Sequence, residues 1–241
     1  MNSNILENPK GIYCAPQEKL QEELLEELKK INANKKDGNF PSYLKKVEHL
    51  FKIETEGKSP KSVTKEKKFF LGGFIVGEGS FNVSAKKGES SPFGLMLDPE
   101  FSITQHVNGA SLLLLALRLF GTGVIRYKSG SNATLVFRID NRRSLLSTVI
   151  PYCEEYCQPY SSLEWERRKN QFKKLLLLFE QGHHKNLEGF KDQMLPIWDK
   201  MRKQINQSNS SFTSLEQAQE YVLNYVMSKM KGSSETTRDL G

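Results

Sequence analysis

The stretch Phe69–Phe81, "FFLGGFIVGEGSF", closes an apolar segment on one carboxylate, Glu78, set between Gly77 and Gly79. A core helix gains nothing from that ending, whereas a site assembled from two copies of the segment does. Gly73 and Gly77 are four apart and share a helix face. Small residues there let a second helix approach at backbone distance. A two-fold axis between the copies brings both Glu78 carboxylates together. Two close carboxylates repel unless a cation sits with them, and oxygen-rich sites beside phosphates suit Mg²⁺. Such a centre can polarise a phosphodiester and stabilise the leaving oxygen of an in-line displacement. Taken alone, Glu78 also reads as a solvent-facing acid after a glycine helix cap. "LRLFGTG" near Leu117–Gly123 repeats the shape of the segment without a carboxylate.

Several elements must position that acid. Thr64 is an N-cap for a helix running to about Gly77. "SFNVSAKK" then alternates, with Phe81, Val83 and Ala85 on one face and Ser80, Asn82, Ser84 and Lys86 on the other. "LMLDPEFSITQ" is a second strand, "GASLLLLALRLFGTG" a helix closed by Gly121, and "VIRYKSG" and "NATLVFRID" two strands joined by a Ser-Gly-Ser turn. "NRRSLLSTVIPYCEEY" reads as a helix broken near Pro151. Ser161 with Glu164 forms a capping box for a helix ending near Gly182. Further helices cover 187–204, interrupted at Pro196, and 214–229. The pattern is α+β, an αββαββα core whose antiparallel four-stranded sheet carries helices on one face and leaves a polar, basic face open. Residues 1–61 form a helical arm ending in the linker "ETEGKSPKS", 62–182 the core, 183–231 C-terminal helices, and 232–241 a disordered tail.

Composition narrows the partners. The 241 residues are 37% hydrophobic, and no apolar run reaches a membrane span. "MNSNILENPK" has neither the basic flank and apolar stretch of a secretory signal nor the Arg and Ser richness of a transit peptide, so the protein is expected to work where it is made. Three cysteines, Cys14, Cys153 and Cys157, build no disulfide framework. Lys and Arg exceed Asp and Glu by 35 to 28. Between Gly121 and Lys174 stand ten basic and five acidic residues, so +5 of the net +7 lies there. A concentrated positive charge suits a polyanion. "GIY" at Gly11–Tyr13 and "HHKN" at His183–Asn186 match fragments of other nuclease motifs, without the rest of either pattern.

"LGGFIVGEG", Leu71–Gly79, resembles the LAGLIDADG motif of homing endonucleases. "DPEFSITQHVNG" (Asp98–Gly109), "KSGSNATL" (Lys128–Leu135), "LPIWDKMRKQ" (Leu195–Gln204) and "QSN" (Gln207–Asn209) resemble the single-motif type encoded in a green-algal chloroplast large-subunit rRNA intron. The likeness covers most of the chain. It implies a homodimer that binds double-stranded DNA, with each sheet on a half-site of roughly 10 base pairs. It implies cleavage of both strands across the minor groove of a long pseudo-palindromic site, in the service of intron mobility. The cofactor implied is Mg²⁺, two or three ions per dimer, with Mn²⁺ as a substitute. No membrane and no small-molecule substrate are implied, and the location is organellar, the chloroplast.

The resemblance also assigns residues. Glu78 and Gly77 are metal ligands, and Val76 stands where the family usually carries a second acid. Gln105 positions the nucleophilic water. For a basic residue near the scissile phosphate "ERRKNQ" offers Arg167, Arg168 and Lys169, of which Arg167 or Arg168 is favoured and spacing does not choose between them. Leu71, Gly72, Gly73, Val76 and Gly77 form the dimer interface. DNA-reading residues are Ser80, Asn82, Ser84, Lys86, Asp98, Glu100, Ser102, Arg126, Lys128, Asn132, Thr134 and Arg138, among which Arg suits guanine and Asn adenine. His106 reads as a surface histidine within reach of DNA. Two alternatives remain open at this point, an RNA-binding maturase that assists splicing and, because of Val76, an inactive DNA-binding relative.

Overall fold

The computed structural model describes residues 18–35, 39–53, 63–131, 133–202 and 212–235. Gly11–Tyr13, Cys14, the 54–62 linker, Asn132, Gln207–Asn209 and the tail beyond 235 lie outside them. The elements are α1 (Glu18–Ala33), α2 (Phe40–Leu50), α3 (Lys65–Glu78), β1 (Gly79–Lys87), β2 (Leu95–His106), α4 (Ala110–Phe120), β3 (Val124–Tyr127), β4 (Thr134–Ile139), α5 (142–157), α6 (Leu163–Glu180), α7 (Leu195–Arg202) and α8 (Leu215–Glu235). The four strands form an antiparallel sheet in the order β1-β2-β4-β3. Among the described residues, no helix is long and apolar enough to cross a membrane.

The chain compacts into two units, and these do not follow the linear division into arm, core and C-terminal helices. One unit takes the chain up to Ser80 together with Phe101–Ser162. The other takes Phe81–Glu100 and the chain from Leu163 onward. Helices α1 and α2, read from the sequence as a separate arm, fall in the first unit because polar side chains on them bond the backbone of β3. Asn32 Nδ2 donates to the Ile125 carbonyl, and the Ile125 amide donates to the Tyr43 hydroxyl.

In the first unit, register separates the two sheet faces. Phe101 pairs with Ile139, Ile103 with Phe137, and Ile125 with Phe137, and all of these are buried. Leu113, Leu114 and Leu117 of α4 and Leu145 and Val149 of α5 add fully buried side chains to this core. Gly121 ends α4 in the left-handed conformation, as the glycine there predicts.

Two helices depart from expectation. The Thr64 hydroxyl caps α3 by accepting from the Lys67 amide at 3.3 Å, but the helix runs past Gly77 through Glu78. Gly79 ends it in an extended conformation, so the chain passes from helix to strand with no loop. Pro151 does not break α5. Its ring would clash with the carbonyl four residues back, and the helix widens into a π turn over Leu145–Val149 just before it. A second π turn over Cys153–Cys157 follows, with both cysteines buried. Gly72 meets this second turn. A Cβ at position 72 would lie 2.6 Å from the Tyr156 carbonyl carbon and closer still to its oxygen, so α3 and α5 touch backbone to backbone.

The second unit is packed around aromatics. Phe81 packs against Trp165 and Phe172 at 5.4 and 5.2 Å. Tyr221 and Tyr225 of α8 donate to the Gly94 and Glu89 carbonyls of the β1–β2 loop, each at 3.3 Å. Gly94 has φ +67°, and a Cβ there would run into the Tyr225 ring. Helix α8 continues to Glu235, so the first residues of the expected tail are helical. One glycine, Gly232, costs about 1 kcal/mol relative to alanine and does not end a helix by itself.

Two outcomes follow from this packing. Gly72→Ala should cost about 3 kcal/mol of stability in urea unfolding, because the intruded atoms are backbone and cannot turn aside; Gly77→Ala, with nothing within 4 Å, should leave the midpoint nearly unchanged. Burial pushes the Tyr43 phenol up to about 12 and raises Tyr152 as well. A raised folded-state value gives stability that is whole below the ordinary value of about 10 and is lost as pH climbs through the folded one. Melting temperature should therefore fall between pH 9 and 12, and fall less steeply in Tyr43→Phe.

Candidate metal and nucleic-acid site

Helix α3 presents two unlike faces. Leu71, Gly72 and Ile75 are buried within the protomer. Phe70, Gly73, Phe74 and Gly77 recur at helical spacing on the other side, where Phe70 is 60% exposed and Gly77 opens onto empty space. This corrects the expected dimer interface. Leu71 and Gly72 belong to the protomer's own core, because the Gly72 notch is filled by the Tyr156 backbone. Gly73, Phe74 and Val76 are half-buried, a Cβ on Gly73 would lie 3.6 Å from the exposed Tyr160 ring, and Gly77 is exposed with nothing near it. Phe70 and Phe74 were missed, although their spacing to Gly73 and Gly77 was there to be read.

Glu78 sits in the last turn of α3 and is exposed. Among the described residues, no ion pair or hydrogen bond engages its carboxylate. The last carbonyls of a helix, Gly77's included, lack partners further along it and carry the negative end of the helix dipole. A carboxylate beside such a carbonyl is an all-oxygen donor pair, which fits a hard divalent cation. Among the described residues, no cluster of three His, Cys, Asp or Glu side chains that could hold a metal ion exists.

Gln105, the penultimate residue of β2, lies opposite Leu135, in register with the buried face. Its Oε1 accepts from the His106 amide at 2.7 Å, and its side chain fills the space that a Cβ on Gly109 would need.

The basic candidates on α6 differ sharply within the second unit. Arg167 is exposed and lies against Glu164, with both guanidinium contacts at 2.7–2.8 Å. Arg168 is partly buried and donates to the Phe81 carbonyl at 2.9 Å, the Met201 carbonyl at 2.8 Å and Asn82 Oδ1 at 3.4 Å. Burial lowers its pKa. Lys169 is buried and paired with Glu166 at 2.7 Å. Arg168 is thus a clamp on β1, and of the three only Arg167 stands out to solvent.

The open sheet face carries most of the expected reading residues. In the first unit, Ser102 pairs with Arg138, Thr104 with Val136, His106 with Thr134, and Arg126 with Val136. Arg126 and Lys128 are exposed and Arg138 is half-exposed beside Asp140 at 3.4 Å, while Ser102 is buried despite its expected role in reading DNA. Thr104, Val136 and His106 share this face; strict alternation from Ser102 would have found Thr104. In the second unit, Ser84 and Lys86 are exposed, Ser80 of the first unit and Asn82 are half-buried, and Asp98 and Glu100 are half-buried on β2. Lys86 is ion-paired with Asp98.

A family model described as LAGLIDADG endonuclease matches residues 71–165. The DNA endonuclease I-CeuI of Chlamydomonas moewusii is 53% identical over 211 residues, covering 87% of this chain and 94% of its own. The chain belongs to the LAGLIDADG endonuclease family. The solved structure of the group I intron-encoded homing endonuclease I-CeuI complexed with DNA matches with a TM-score of 0.77 at 52% identity, over 83% of this chain and 95% of that one. The archaeal intron-encoded homing endonuclease I-Vdi141I complexed with DNA matches with a TM-score of 0.60 at 25% identity, over 67% of this chain and 98% of that one. LAGLIDADG endonucleases are metal-dependent nucleases, in keeping with the oxygen donors at the end of α3.

The contrast on α6 is checkable. Arg168→Ala should cost about 2 kcal/mol in chemical denaturation, since it strands two carbonyls. Arg167→Ala should leave the midpoint within about 0.5 kcal/mol.

Proposed function

We propose that this LAGLIDADG protein is a site-specific double-strand DNA endonuclease of the homing type, acting as a symmetric dimer in the chloroplast. The observation that carries the reading is Glu78, an exposed carboxylate that no described residue pairs with, at the end of a helix whose adjoining side carries exposed Phe70 and Gly77. Phe70, Gly73, Phe74 and Gly77 give a second α3 a surface to pack on, and Gly77 lets it come close. The two-fold axis then sets one Glu78 beside the other, with both Gly77 carbonyls nearby. The Glu78 carboxylates and Gly77 carbonyls would hold Mg²⁺, or Mn²⁺ in its place, which would supply polarisation of the scissile phosphodiester and stabilisation of the leaving oxygen.

The chain's own residues do the rest. Gln105, at the end of β2, has an amide suited to holding the attacking water. Arg167 offers a guanidinium to the charge that develops on the phosphate once it releases Glu164. Arg126, Lys128 and Arg138 meet backbone phosphates and base edges from the open face of the sheet. Arg168 contributes by holding β1 rather than by touching the phosphate.

Glu78→Gln keeps the shape and removes the charge. Cleavage of a duplex selected from a randomised library should fall by at least about a thousandfold, with DNA affinity within a few-fold of wild type. Chelation of divalent ions should stop cutting in the same way. A wild type that binds but never cuts would leave the inactive-relative reading standing, and tight binding of intron RNA without cutting would favour the maturase. On the dimer, Gly77→Leu should shift sedimentation toward the monomer while leaving the folded protomer intact.

A further inference from the structure

Strand β3 is an outer strand of the sheet, next to β4 alone in the order β1-β2-β4-β3. Such a strand turns alternate backbone groups away from its single neighbour, where another strand would otherwise bond them. At Ile125 both of these groups are taken by side chains of α1 and α2. Asn32 Nδ2 donates to the Ile125 carbonyl at 3.0 Å, and the Ile125 amide donates to the Tyr43 hydroxyl at 3.0 Å. The hydroxyl donates onward to Asn32 Oδ1 at 3.0 Å, which closes the ring. Lys35 Nζ donates to the Gly123 carbonyl at 3.0 Å and lies 5.1 Å from the centre of the Tyr43 ring.

The neighbour of the clamped residue is Arg126. Ile125 points into the core and is fully buried, so Arg126 must point to the open face. Tyr43 is only 3% exposed and reaches a nucleic acid only through the strand it holds. A strand held on one side alone is free to twist and fray, and its side chains sweep with it. A clamp on both backbone groups of one residue restrains that twist much as a paired strand does.

We propose that Asn32 and Tyr43 are positioning residues for base reading, which hold Ile125 as a further strand would and so set the direction in which Arg126 leaves β3. The inference rests on the sheet face being the DNA-contacting surface. It gives the N-terminal helices a part in specificity although neither Asn32 nor Tyr43 contacts a base.

The test uses the full chain and a duplex target selected from a randomised library. Tyr43→Phe removes one hydroxyl, and Asn32→Ala breaks the clamp from the other side should the first variant fold poorly. Arg126→Ala and the double variant Tyr43→Phe/Arg126→Ala complete the cycle. Binding is measured to the selected duplex and to its single-base-pair variants. Each clamp variant should lose about three- to tenfold of its preference at the base pairs where Arg126→Ala loses it. The double variant should be no worse there than Arg126→Ala. A general loss of stability would lower affinity evenly across duplexes and would add to Arg126→Ala, and that result overturns the proposal. So does an unchanged preference in both clamp variants. If the wild type cuts its target while Arg126→Ala keeps every preference, the positioning role falls and the nuclease reading stands. A wild type that binds no DNA overturns both.

Discussion

The contact of one backbone with another governs this molecule's site. At Gly72 helix α3 lies directly on the π turn of α5, and no side chain fits between them. That contact fixes the rotation of α3 about its own axis. Leu71 and Ile75 are turned inward with it, Phe70 and Gly77 are turned out to solvent, and Gly73 and Phe74 lie half-buried beside them. The exposed carboxylate of Glu78 is therefore a consequence of packing two turns earlier. The π turn that receives Gly72, over Cys153–Cys157, is the second in α5, and a regular helical turn carrying Pro151 separates it from the first. A proline that reads as a helix breaker is instead carried inside the helix on which α3 rests.

Charge is distributed with a similar economy. The excess of basic residues is real, but part of it works inside the protein. Arg168 bonds two main-chain carbonyls, Lys169 is buried against Glu166, and Arg202 reaches Asp199 as well as the Phe212 and Thr213 carbonyls. What remains on the sheet of the first unit, Arg126, Lys128 and Arg138, is a smaller and more directed set than the net charge implies. A bare count could not make that distinction, since it weighs a buried clamp and an exposed cation alike.

The sequence displayed the order of elements clearly because strand alternation and helix periodicity are local properties. Phe81 and Val83 declared their inward face by spacing alone, and Thr64 and Gly121 marked helix ends by residue type. Long-range choices were hidden. Which glycine of α3 faces inward depends on where α5 passes, so Gly72 was taken for an interface residue. Whether Arg167 or Arg168 stood out to solvent depended on carbonyls far along the chain, at Phe81 and Met201. The packing of α1 and α2 was hidden for the same reason, since Asn32 and Tyr43 show their purpose only when β3 is beside them.

The clamp at Ile125 also bears on how copies of this chain can meet. Its amide and carbonyl are satisfied from within, so they offer no template on which a strand of another molecule could add. Open-ended stacking, the route by which bare sheets polymerise and precipitate, is obstructed there. What the same unit leaves exposed is the notched side of a helix. Two copies joined there about a two-fold axis use up each other's surface, so assembly of that symmetry stops at a finite size.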